Sequence, residues 1–350
     1  MLCRPADTRG FDTLTGIVPF ATFTFDFDPL LHLGDNGVRY ETLGIAGAVF
    51  FALVFAALAA ARTPLDGRLG PAWVHTDDTH LRRDDLLFIL LGIVPGAVIG
   101  GRIGYVLLHL DYYGTNVGSI WDPSQGSLEL GLAVVGGILT GAYVARLLDA
   151  PVGPWLHAAA GPAFLAITLG ELARVLGGSG QGAPAGDGWT TAYLGAGPWG
   201  SLAPAVPAHP AQVYGAIAAF IALVAVAAVR RAGGFSAQDG SSFFVAVLIW
   251  AIGRTVVTTT WRDEPVLGPL PAGGVIALGV VAFAVASISV ARWSAARERN
   301  QAHGLGSGPA QPAVVLPDPV AAHPAPSDLA PAHPAPPDLA EPAPETAPPD

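Results

Sequence analysis

Leu86 to Leu108 reads LLFILLGIVPGAVIGGRIGYVLL, an apolar run relieved only by glycines, Pro95, Tyr105 and one charge, Arg102. A helix needs about 20 mostly apolar residues to cross the hydrocarbon of a bilayer, and this run has that length. Within it Gly92, Gly96, Gly100 and Gly104 recur every four residues. That spacing puts them on one helix face, a smooth strip that lets another backbone come close. The stretch is therefore expected to be a central helix of a membrane bundle.

Six more stretches have the same character: Leu43 to Arg62, Leu128 to Leu148, Trp155 to Leu176, Ala211 to Val229, Ser242 to Trp261 and Pro271 to Ala291. The fold class that follows is all-α, a polytopic membrane bundle of about seven transmembrane helices. Composition agrees, with 51% hydrophobic residues, 13% charged residues and a mean hydropathy of +0.49, too apolar for an ordinary soluble domain. The formal charge of −10 says little about the bundle, because Asp318, Asp328, Asp338, Glu341, Glu345 and Asp350 crowd the C-terminal end. Cys3 is the single cysteine, which excludes an internal disulfide. No apolar run precedes it, so it does not read as a lipid-modified cysteine behind a signal peptide.

Short cytoplasmic loops retain positive charge, and the arginines sort accordingly. Arg62, Arg68, Arg82, Arg83, Arg146, Arg230, Arg231, Arg292, Arg297 and Arg299 all fall on one side of the seven spans. The expected topology has the N-terminus outside and the C-terminus in the cytoplasm. Residues 1–37 form an extracytoplasmic lead-in and residues 38–300 the membrane domain. Residues 301–350 are expected to be a disordered Pro/Ala-rich cytoplasmic tail, with a near-repeat at Ala322 to Pro331 and Ala332 to Glu341.

Arg102, Arg174 and Arg254 lie inside the second, fourth and sixth spans. An arginine at membrane depth costs at least about 2.5 kcal/mol unless it is paired or faces a polar cavity. These three spans run in the same direction, and all three arginines fall in their outer halves, where they can meet one anion. A forked guanidinium suits phosphate, and the phosphate at that depth belongs to a phospholipid headgroup. Arg102 and Arg174 are also near enough to helix ends to snorkel. Glu171, three residues before Arg174 on the same face, reads either as its neutralising partner or as a ligand residue. Pro210 suits the first turn of the fifth span, which puts His209 at its mouth, as an interfacial cap or a functional group, with Gln212 and Tyr214 close to the arginine level. No metal-ligand cluster, nucleotide-binding glycine loop or Ser/His/Asp arrangement is visible, so neither metal nor cofactor is expected.

Gly100-Gly101-Arg102-Ile103-Gly104-Tyr105-Val106, the pair Gly136-Gly137, Arg174, the segment HPAQVY from His209 to Tyr214, and Arg254 occur in this order. In these motifs the chain resembles the prolipoprotein diacylglyceryl transferase family, over roughly Val38 to Trp293. The resemblance implies a transferase of the bacterial inner membrane. Such an enzyme moves the diacylglyceryl group of phosphatidylglycerol to the cysteine thiol of a lipoprotein signal peptide and releases glycerol phosphate. Its implied partners are phosphatidylglycerol, lipoprotein signal peptides and membrane lipids, with no nucleic acid. It assigns catalysis to Arg174, Arg254 and His209, and substrate binding to Arg102, Gly136, Gly137, Gln212 and Tyr214.

The chain departs from the family's pattern at several positions. Val135 stands where a histidine precedes Gly-Gly, Gly215 where a glutamate ends the HPSQLYE-like segment, and Thr258 where an acid follows the sixth-span arginine by one turn. The stretch after Arg174 lacks the usual asparagine and glutamate, and Tyr40-Glu41 represents the aromatic pair of helix one. What is retained is mostly the glycines and arginines. A second reading is therefore a catalytically degenerate homologue that binds anionic phospholipid or acts as a membrane scaffold. A small-molecule transporter is the third, without an internal repeat to support it.

Overall fold

A computed structural model of the chain describes residues 22–34, 36–64, 80–122, 128–186 and 188–306. In chain order its elements begin with strands β1 (Thr22–Phe25), β2 (Leu30–Leu33) and β3 (Asn36–Arg39). Helices α1 (Tyr40–Arg62), α2 (Arg83–Leu108) and the short α3 (Leu110–Thr115) follow, then a 3-10 turn at Val117–Trp121. Next come α4 (Leu130–Leu147), α5 (Val152–Val175), strand β4 (Thr190–Tyr193), α6 (Ala211–Arg231) and α7 (Ser241–Thr258). Strands β5 (Pro265–Leu267) and β6 (Leu270–Pro271) lead into α8 (Ala272–Gly306). All the helices except α3 are long and apolar enough to cross a membrane, seven among the described residues. The protein is a multi-pass membrane protein.

Except at the end of α8, each span begins and ends within a few residues of its apolar run. α2 starts earlier, at Arg83, because Asp84 and Asp85 suit the positive end of the helix dipole. α8 runs on past the last apolar residues through a stretch rich in alanine and arginine, both good helix formers. The near-repeat of the tail, like Cys3 and Arg68, lies outside the described residues. The described residues up to Gln301 form one compact unit, and the features that follow lie within it.

Lipid tails are as apolar as leucine, so helices in a bilayer are held by close packing rather than by hydrophobic burial. The glycine strip of α2 supplies that packing against α4. A Cβ on Gly96 would collide with the Thr140 side chain and the Gly136 carbonyl, and one on Gly100 with the Leu132 carbonyl. Gly104 lies against the Glu129 side chain. α1 packs on α5, α5 on α6, and α6 on α7. Phe164 of α5 joins Phe243, Val247 and Trp250 of α7 and Val280 of α8 in the core, over the small face of α6 at Ala219 and Ala222. Between α1, α2, α4 and α5 lies an apolar gap of about 400 Å³, lined by Leu53, Ile93, Val134, Ala159 and Ile167 among others.

The strands gather at the end of the bundle that holds the starts of α1, α4 and α6 and the ends of α2, α5 and α7. β1 pairs in parallel with β4, Thr22 opposite Thr190 through Phe25 opposite Tyr193, and β2 and β3 form an antiparallel hairpin. The sequence reading places no strands in residues 1–37. β1 finds its partner far along the chain, so no local pattern announces it. Phe25 stacks on Tyr193 at 5.1 Å, and Trp199 lies 4.8 Å from Tyr193 and 5.2 Å from Phe27. This aromatic layer touches the polar site through the Tyr193 hydroxyl, which accepts from Gln212 Nε2.

Candidate functional site: a buried arginine and carboxylate network

Arg254, one turn from the end of α7, is buried, and Trp250 and Trp261 shield its guanidinium at 5.7 and 5.2 Å from their ring centroids. A buried guanidinium needs counter-charge, and none comes from α7 itself. Arg254 Nη2 donates to Glu129 Oε1 at 2.9 Å, and Nη1 lies 4.0 Å from Glu171 Oε1. Glu171 in turn accepts from Arg174 Nη1 at 2.9 Å through Oε2. Four charges from α5, α7 and the residue preceding α4 thus form one chain, Glu129, Arg254, Glu171, Arg174.

Glu129 is the residue that sequence reasoning missed. It is the N-cap of α4, its Oε1 accepting from Gly131 N at 2.8 Å and its Oε2 from Leu132 N at 2.7 Å, while its own N–H donates to the Gly101 carbonyl at 2.8 Å. One side chain therefore caps a helix, pairs with Arg254 and abuts α2 at Gly104. The signal was available: a glutamate directly before an apolar span is placed to cap it, and a buried arginine requires an acid.

A cavity of about 250 Å³ opens beside this network. Its lining includes Glu171, Arg174, Gln181, Gln212, Trp250 and Arg254, with the partly buried Arg262 and the exposed Asp263. Arg174 and Arg254 therefore converge, as the sequence suggested. Arg102 does not join them. Its Nε donates to the Ile120 carbonyl at 2.6 Å and its Nη2 to Ser119 and Asp122 carbonyls at 2.8 and 3.0 Å, so it fastens the 3-10 turn after α3. Tyr113 lies 5.3 Å from its guanidinium.

Gln212 is buried on the cavity wall, its Nε2 donating to the Tyr193 hydroxyl at 3.0 Å and its Oε1 unpartnered among the described residues. Burial pushes the Tyr193 phenol up to about 12. Tyr214 points to the Trp189 carbonyl at 3.4 Å and lies outside the lining. His209 also flanks the cavity rather than lining it. Its backbone is stitched to the loop after α5, Gly182 N donating to His209 O at 2.8 Å and His209 N to Ala183 O at 3.0 Å, while its Nδ1 is buried without a partner among the described residues. Gly136 and Gly137 face α2 in the helix seam, where a Cβ on Gly136 would meet the Gly96 carbonyl and one on Gly137 the Ile93 side chain.

The departures noted in the sequence have structural counterparts. Val135 packs against the apolar core. Thr258 is fully buried against Gly274 of α8, and the counter-charge of Arg254 arrives from Glu129 and Glu171 instead. Gly215 faces the Glu171 carboxyl group. The loop after Arg174 is held by its backbone: Gly200 N donates to Gly177 O and Ala183 N to Thr260 O, each at 2.8 Å, and Arg262 Nε donates to Gly182 O at 2.8 Å. Ser179 donates to Glu41 at the start of α1. Gly180 has φ +78°, a conformation strained for other residues, and a Cβ there would meet the Arg174 guanidinium where it now lies.

A seven-span helical bundle in which two arginines and two carboxylates meet beside a cavity at one end of the spans defines a polytopic membrane protein with a charge-balanced polar site. The sequence profile of one family, prolipoprotein diacylglyceryl transferase, matches residues 29–290, and the chain belongs to that family. Among curated relatives, the phosphatidylglycerol--prolipoprotein diacylglyceryl transferase of Clostridioides difficile (strain 630) is 25% identical over 198 residues, 57% of this chain and 75% of the relative. The protein of the same name from Geobacter sulfurreducens is 31% identical over 140 residues, 39% of this chain and 50% of the relative. That from Streptococcus pneumoniae (strain Hungary19A-6) is 43% identical over 61 residues, 17% of this chain and 22% of the relative.

Proposed function

We propose that the protein transfers the diacylglyceryl group of phosphatidylglycerol to the cysteine of a lipoprotein precursor, in the inner membrane of a bacterium. The observation that carries this reading is the convergence of Arg174 and Arg254 on one cavity, in a chain that belongs to the family. The arginine distribution supports an outside N-terminus, which sets the cavity in the outer leaflet at headgroup depth. The headgroup phosphate meets the two guanidiniums. The acyl chains lie toward the apolar gap, whose Ile167 is one helical turn from Glu171 on α5.

In the reaction the thiol gives up its proton and the thiolate attacks C3 of the diacylated glycerol. A C–S bond forms, the C–O bond to phosphate breaks, and the electron pair leaves with glycerol phosphate. The phosphate goes from one negative charge to two, so the arginines hold the transition state more strongly than the bound lipid. We assign the thiol proton to His209, which flanks the cavity three residues before Gln212 at the entry to α6. Gln212 contributes to the binding wall. Arg102, Gly136, Gly137 and Tyr214, which stand outside the lining, shape the surrounding helices and loops.

A second reading, lipid binding without transfer, is favoured by Val135, which puts an apolar side chain where the family's pattern has a histidine. One assay separates the two. Purified protein is given labelled phosphatidylglycerol and a lipobox peptide, and the cysteine is examined for a diacylglyceryl thioether. Transfer that falls about 10²-fold or more in Arg174→Met and Arg254→Met supports the enzyme. Arginine-dependent binding of the lipid with no thioether from wild type refutes it and leaves the binding reading.

A further inference from the structure

The network is electrically neutral: Arg174 and Arg254 against Glu129 and Glu171, with Arg262 and Asp263 of the cavity lining adding one charge of each sign. A neutral cavity gives an incoming phosphate no net attraction unless one carboxylate yields its place. The two carboxylates are held very differently. Glu129 has two backbone N–H donors at 2.7 and 2.8 Å besides Arg254, and it is not part of the cavity lining. Glu171 lines the cavity and among the described residues its carboxylate pairs only with the guanidiniums, Arg174 at 2.9 Å and Arg254 at 4.0 Å. Behind it is Gly215, where even a methyl group would begin 3.3 Å from the Glu171 carboxyl carbon. The absent side chain is what leaves the carboxylate its room.

We propose that Glu171 occupies the phosphate position in the resting protein, a built-in anion that the lipid headgroup displaces, and that this displacement selects the headgroup. The inference rests on the headgroup site proposed above. A displaced Glu171 is still a carboxylate in a small cavity walled by Trp250 and Trp261, and it needs donors to replace the guanidinium it lost. A phosphodiester whose headgroup carries hydroxyls supplies both parts of the exchange, phosphate oxygens for the arginines and O–H donors for Glu171. A phosphomonoester lipid supplies only the first and brings a second negative charge beside the carboxylate. Glu171 therefore discriminates in favour of a hydroxylated phosphodiester lipid; of the other carboxylates near the cavity among the described residues, Asp263 is exposed and Glu129 is locked to the backbone of α4.

The test is a titration of the full-length protein in detergent with dioleoyl phosphatidylglycerol and, separately, dioleoyl phosphatidic acid, read by native mass spectrometry. Wild type is expected to prefer phosphatidylglycerol by about tenfold. In Glu171→Gln the preference disappears, because phosphatidic acid gains about tenfold in affinity and phosphatidylglycerol gains less. Glu129→Gln, which loosens Arg254, weakens both lipids. If Glu171→Gln instead weakens both lipids in the manner of Glu129→Gln, Glu171 is an ordinary structural counter-ion and the proposal is overturned. If wild type binds neither lipid, the headgroup site itself is refuted, a separate outcome. Glu171→Asp, whose shorter arm withdraws the charge from Arg174, carries the same test if the glutamine variant does not accumulate. It is expected to shift the preference in the same direction, and an unchanged or stronger preference overturns the proposal.

Discussion

Glu129→Ala is the perturbation whose consequence the structure specifies most fully. The substitution strips a buried arginine of its closest carboxylate, 2.9 Å away, and opens two capped N–H groups at the start of α4. Breaking a buried ion pair from one side costs about 3–5 kcal/mol, since the remaining charge is left without compensation. The lost N-cap adds about 1 kcal/mol. Glu171 recovers a part of this, because it already lies 4.0 Å from the same guanidinium. At roughly 2 °C per kcal/mol, thermal unfolding in detergent, followed by tryptophan fluorescence, should fall by about 6–10 °C. Arg254→Met tests the same pair from the other side. If the two residues act together, the double variant loses at least about 1 kcal/mol less than the sum of the singles. A shift under about 2 °C for Glu129→Ala, or strict additivity with Arg254→Met, would refute the assignment of Glu129 as the anchor of Arg254.

Gly100→Leu drives a side chain into the Leu132 carbonyl and should destabilise the bundle by about 1–3 kcal/mol, whereas Gly114→Ala, with nothing within 4 Å, should leave the melting curve in place. Arg102→Gln releases the carbonyls of Ser119, Ile120 and Asp122; limited proteolysis should then cut the connection between α3 and α4 faster, with lipid affinity unchanged. The Tyr193 phenol, raised by burial to about 12, keeps its proton in the folded state at a pH where the unfolded chain, near 10, has lost it. Stability is therefore fully present below pH 10 and declines between pH 10 and 12, by on the order of 2 kcal/mol. Tyr193→Phe should remove that alkaline decline while costing about 1 kcal/mol at neutral pH for the Gln212 hydrogen bond.

Much of the architecture could be read from sequence because a bilayer imposes it. Length and apolarity define a span with little help from tertiary context, and the four-residue glycine spacing of α2 specifies a close helix contact without naming the partner, which is α4. Convergence is another matter. Arg174 and Arg254 meet because α5 and α7 both pack against α6 and against each other, whereas Arg102 is diverted by carbonyls of a 3-10 turn that has no hydrophobic pattern to announce it. Glu129 escaped notice because the apolar run reads from Leu128, which puts it inside the span rather than at the cap of α4, and its contacts with α2 and α7 appear only once the helices are in place. The pairing of β1 with β4 failed to register for the same reason. At Glu171 the sequence left two roles open, and the geometry supplies the pairing with Arg174.

The central claim is that Arg174 and Arg254 hold a lipid phosphate. A cryo-electron microscopy map of the protein in nanodiscs containing phosphatidylglycerol tests it most directly. The account predicts phosphate density about 2.7–3 Å from both guanidiniums, with Glu171 turned away from Arg174. A lipid phosphate seated elsewhere, with Glu171 still on Arg174, contradicts it.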